Sequence, residues 1–147
     1  MITASWPRLV IGTILLFVGA AEGYLAWAWE NCADSVADSL ILPALVTLAL
    51  NVVAWLLLGR RVPSKLVLFV AFLPALAALS YTMTTTQITL GYLRGSSVCS
   101  TITGDAHDFT GRDLIGIFLW LLVCVSFWAG LIPVIRRAIS VWKERQA

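Results

Sequence analysis

Four apolar runs order the chain: Leu9 to Trp29, Leu40 to Leu58, Leu66 to Met83 and Leu114 to Ile135. Each reaches or approaches the ~20 residues that a helix needs to cross a hydrocarbon core. Polar positions interrupt the runs singly and never in strict alternation, so the pattern predicts helices and removes the membrane β-barrel class. The expected fold is all-α, an integral membrane four-helix bundle in which residues 1–147 form one domain with spans over about 9–29, 40–58, 66–83 and 114–135. Outer loops are expected over 30–39 and 84–113, and a tight hairpin from Gly59 to Lys65 between them on the other side.

Finer signals place the ends of these elements. Asp38 or Ser39 is suited to cap the second helix, with Pro43 in its first turn, where the missing N–H costs little. The third helix is expected to start near Ser64 and to kink at Pro74. Beyond Leu79 it turns polar, through Ser80, Thr82, Thr84, Thr85, Thr86, Gln87 and Thr89, which predicts that it emerges early and runs on above the membrane. After Pro133, Ile135, Ile139 and Trp142 share a face with basic groups around it, the pattern of a short amphipathic C-terminal helix on the inner leaflet.

Composition sharpens the class. Hydrophobic residues are 60% of the chain and charged ones 12%, against about 45–50% and about 25% in soluble domains. The net charge of +2 says little, but its placement says more. Arg8, then Arg60, Arg61 and Lys65, then Arg136, Arg137, Lys143 and Arg145 fall at the N-terminus, the second connection and the tail. Glu30, Asp34, Asp38, Asp105, Asp108 and Asp113 collect in the other two connections, so the positive-inside rule puts both termini in the cytoplasm. Arg60, Arg61, Lys65, Arg136 and Arg137 then form the interfacial basic set of a multi-pass protein of the cell membrane, of bacterial inner-membrane type. Gly19-Ala20-Ala21 after an apolar run also resembles a signal-peptide cleavage site, but Tyr24 to Trp29 completes a full span and ends in an aromatic belt.

Inside the runs, few groups carry chemistry. A carboxylate at membrane depth must be sheltered by other helices, line a wet cavity or hold a proton, which makes Glu22 the residue the other segments answer to. Gly12, Gly19, Glu22, Gly23 and Ala26 fall on one side of a helix, and Gly19 and Gly23 have the spacing that lets two backbones approach. Asn51 lies within one or two turns of the same depth, so an Asn51–Glu22 pair is expected. Ser126 and Gly130 repeat the close-packing spacing in the last helix, and Cys124 between apolar neighbours reads as an inert thiol.

The outer connections hold Cys32 and Cys99, which are expected to form a disulfide clasping the two helix hairpins, with a contribution of about 2–4 kcal/mol. Asp105-Ala106-His107-Asp108 has metal-ligand side chains but no second His or Cys at a recognised spacing, so neither a metal nor a cofactor is expected. Phosphate loops, helical His pairs and nucleophile elbows are absent from the sequence. The function expected is that of a non-catalytic multi-pass membrane interaction protein, an accessory subunit of a membrane complex or an immunity or regulatory factor. Its partners are the lipid bilayer and another membrane protein or a second copy, with no nucleic acid. The alternatives are a small proton-coupled transporter using Glu22 and a membrane thiol oxidoreductase using Cys32 and Cys99.

Overall fold

A computed structural model describes residues 6–28, 36–58, 67–103 and 111–144. They form five helices: α1 (Trp6–Ala28), α2 (Val36–Leu58), α3 (Val67–Leu93), α4 (Val98–Thr103) and α5 (Gly111–Glu144). Among the described residues, three stretches, Trp6–Trp27, Leu40–Leu58 and Asp113–Arg136, are long and apolar enough to cross a membrane. The protein is therefore an all-helical membrane protein. The helix not in that set, α3, carries the hydroxyl-rich stretch after Leu79.

The long helices run alternately up and down. On α1, Gly12 faces Leu58 and Ala54, Gly19 faces Leu50, and Gly23 faces Thr47. Rising numbers meet falling ones, so α1 and α2 are antiparallel. Asn51 bonds Ser126 and Trp55 lies over Gly130, which makes α2 and α5 parallel neighbours. Thr82 meets Trp128 and Thr85 meets Cys124, so α3 and α5 are antiparallel. The main packing is α1 on α2, with α2 and α3 both on α5, and α1 also touches α3.

Glycine makes the α1–α2 contact possible. A Cβ on Gly12 would stand 2.8 Å from Leu58 Cγ and 3.2 Å from the Ala54 carbonyl oxygen. Without it the backbones close up and Cα–H groups face carbonyls, a weak but recurrent helix–helix contact. Three buried layers follow along the helices. The first is Leu16, Ala54, Leu58, Leu131 and Val134; the second holds Tyr81, Trp120, Val123 and Phe127; the third is Leu40, Ile88, Val98 and Ile117.

Several expected boundaries move. Helix α2 starts at Val36, so Asp38 and Ser39 are helical rather than capping and Pro43 sits inside the helix. As expected of a helix that runs on past Met83, α3 continues to Leu93, and its hydroxyls bond back to their own helix: Thr82 to the Ala78 carbonyl, Thr86 to that of Thr82, and Thr89 to that of Thr85. It closes in a Schellman motif. The Ser96 N–H reaches the Gly91 carbonyl, the Gly95 N–H reaches that of Tyr92, and Gly95 takes φ 87°, a conformation that glycine adopts freely.

Within the expected outer loop stands α4. Ser97 caps it by accepting from the Ser100 N–H at 3.0 Å, and the helix buries Val98 against Ile88 and Leu40. The separate amphipathic C-terminal helix is also corrected. Its residues up to Glu144 continue α5 without a break through Pro133, since a proline removes one N–H and a helix at membrane depth tolerates that single loss.

Candidate functional site

Glu22 is half-buried on α1 and accepts a hydrogen bond from the Thr47 hydroxyl of α2, from Oγ1 to Oε2 at 2.9 Å. The expected Asn51–Glu22 pair is not formed. Thr47, one turn toward the start of α2, occupies the level of Glu22 and Gly23, whereas Asn51 lies at the level of Gly19. Asn51 turns the other way: its Nδ2 donates to Ser126 Oγ of α5 at 3.1 Å, and the Ser126 hydroxyl donates to the Val123 carbonyl at 2.7 Å.

The acceptor of this amide is left over. Asn51 Oδ1 is buried with no hydrogen-bond partner and faces α1, where a Cβ on Gly19 would be 3.8 Å away.

On the opposite side the ring is completed by α3. The Tyr81 hydroxyl donates to the Ala20 carbonyl of α1 and covers Gly23, where a Cβ would be 2.5 Å from Oη. The Tyr81 ring lies 5.5 Å from Trp120 and 5.6 Å from Phe127, and Trp27 stands 5.0 Å from Trp120. Lower on α5, Trp128 Nε1 donates to Thr82 Oγ1 at 3.0 Å. Thr85 Oγ1 and Cys124 Sγ are 3.6 Å apart.

Each of these contacts joins a different pair of helices: α1 to α2 through Glu22, α2 to α5 through Asn51, α1 to α3 through Tyr81, and α3 to α5 through Trp128. In a medium that supplies no hydrogen bonds, such pairs fix the rotation and height of one helix against the next. That is the chemistry this arrangement performs best. Trp27, Trp55 and Trp120 keep buried Nε1 atoms without a partner, and their rings serve as packing.

Of the sequence-predicted residues, Glu22 is bonded to Thr47 and Asn51 to Ser126 in two separate pairs, while Cys124 is a buried free thiol 3.6 Å from the Thr85 hydroxyl. Arg136 is exposed on α5, and Cys99 is buried in α4. Cys32, Arg60, Arg61, Lys65, Asp105, His107 and Asp108 lie outside the described residues, as does the side chain of Arg137. The Cys32–Cys99 pair therefore lies outside them too. Among the described residues, no three His, Cys, Asp or Glu side chains gather as a metal set would.

Sequence reasoning missed Thr47, Tyr81 and Trp128. The available signal for Thr47 was its place four residues before Asn51, on the same face of α2. No protein family, curated protein or solved structure matches the chain.

Proposed function

We propose that the chain is a non-catalytic membrane interaction protein: an accessory subunit or regulatory factor that acts on another membrane protein. The observation that supports this reading is the Glu22–Thr47 bond. The one carboxylate in the first span is engaged in holding α1 on α2, between glycines that bring the two backbones together and under a tyrosine that covers Gly23. A carboxylate used to tie two helices is a packing residue rather than a carrier of substrate or protons.

In this proposal α1, α2, α3 and α5 form a four-helix membrane bundle with both termini in the cytoplasm, as the basic residues at Arg8, Arg60, Arg61 and Arg136 favour. Cys32 and Cys99 face the oxidising side and pair, joining the first connection to α4. The bridge is structural, and neither thiol turns over. The membrane is a bacterial inner membrane.

The test is extraction from the native membrane in lipid-preserving particles, followed by native mass determination, for the wild type and for Glu22→Gln. A second membrane protein is expected at fixed stoichiometry in both, because the Gln amide oxygen still accepts from Thr47. Recovery of the chain with no other membrane protein, together with ligand-driven proton release that Glu22→Gln abolishes, overturns the proposal in favour of transport.

A further inference from the structure

Helix α5 is longer than the bilayer core requires. Its candidate span ends at Arg136, and the helix continues to Glu144. At about 1.5 Å per residue, the stretch 137–144 adds about 12 Å. A bilayer has about 30 Å of hydrocarbon within about 40–45 Å overall, which leaves about 5–8 Å of headgroup layer on each side. The last turns of α5 therefore pass through that layer rather than along it.

A second helix marks the same level. On α1, exposed Trp6 and Arg8 stand just before Leu9. Leu9 and Ile135 both pack against the buried cluster of Leu16, Leu58 and Val134, so Arg8 and Arg136 come to one height at the end of the bundle. An exposed tryptophan beside an arginine is the usual dress of a membrane–water boundary.

At this boundary one side of α5 changes chemistry. Phe118, Val125 and Ile132 are exposed, seven residues apart, on the side turned away from buried Phe127 and Leu131. Arg136, Ile139 and Lys143 follow from Ile132 at steps of four, three and four, and all three are exposed. The side that meets lipid tails up to Ile132 is thus cationic from Arg136 on. From Arg136 to Ala147 the sequence sets Arg136, Arg137, Lys143 and Arg145 against the single acid Glu144.

We propose that this end of α5 binds anionic phospholipid headgroups, with Arg136 on the phosphate and Lys143 attracted to the negative surface around it. The inference goes beyond the partner protein proposed above and does not draw on it. A lipid whose tails lie along Val125 and Ile132 has its phosphate at Arg136, because tail and headgroup follow the same side of one helix. The planar guanidinium matches two phosphate oxygens at once. Lys143 stands about 10 Å further along, and its flexible four-carbon stem lets the ammonium reach back toward headgroup oxygens. An anionic headgroup leaves the phosphate charge uncompensated, whereas a zwitterionic one carries its own cation, so the surface favours the anionic lipid.

Electron spin resonance of the purified chain in phosphatidylcholine bilayers tests this, with a trace of spin-labelled phosphatidylglycerol or spin-labelled phosphatidylcholine reporting the lipids slowed at the protein surface. The wild type is expected to prefer phosphatidylglycerol several-fold at low salt. Most of that preference should vanish at about 1 M salt, where charges are screened beyond about 3 Å. Arg136→Gln combined with Lys143→Gln should lower it about twofold or more, and because both side chains are exposed the fold is not at risk. Arg94→Gln, which removes an exposed cation just past the end of α3 at the opposite end of the bundle, should lower it far less. A wild type without preference, a double variant that keeps it, or an equal loss in Arg94→Gln overturns the proposal. So does a double variant that loses a co-purifying membrane protein while its lipid preference stays unchanged, which would assign these cations to a protein contact.

Discussion

Trp120→Ala is expected to lower the stability of the folded chain by about 3–5 kcal/mol, the range for truncating a large aromatic in a packed core. The indole is 1% exposed and sits between Trp27 and Tyr81, with Val123 and Phe127 in the same layer. In a bilayer the loss is one of packing more than of hydrophobic transfer, because lipid is as apolar as the core. The cavity left behind has no partner atoms on one side. Tyr81 is the hinge of the effect, since its hydroxyl holds α1 through Ala20 while its ring leans on Trp120. Reversible unfolding in mixed micelles measures the change; a loss below about 1 kcal/mol would mean that the aromatic layer does not carry the α3–α5 contact.

Gly130→Ala is expected to be nearly as damaging, at about 3 kcal/mol, the upper end of overpacking costs. A Cβ at Gly130 would fall within the Trp55 indole of α2. That ring cannot tilt away freely, because one turn along the same two helices stands the Asn51–Ser126 bond. The penalty should therefore be specific to the pair. In a Trp55→Leu background the same Gly130→Ala change should cost less than about 1 kcal/mol, a non-additivity typical of residues in contact. An equal cost in both backgrounds would place the strain elsewhere.

How much of this was readable beforehand differs from element to element. The spans of α1, α2 and α5 follow from long apolar runs broken only by single polar residues, and the α1 glycine face follows from spacing alone, since residues three, four and seven apart share a side. The outer half of α3 reads as a helix that runs on past Met83, and it is helical to Leu93, with Thr82, Thr86 and Thr89 bonding back to carbonyls of their own helix. The basic tail after Pro133 reads as a separate amphipathic helix and is the continuation of α5 to Glu144. Asn51 was placed at the right depth but on the wrong partner, since depth comes from counting residues whereas rotation comes from packing.

The central claim is that Glu22 holds α1 on α2 through Thr47, and a double-mutant cycle measures that bond directly. Glu22→Ala, Thr47→Ala and the double variant would be unfolded under one set of conditions in mixed micelles. The account predicts a coupling of about 0.5–2 kcal/mol, the range for hydrogen bonds between membrane helices. Strictly additive single losses would contradict it, returning Glu22 to the role of a group kept free for ligand or proton.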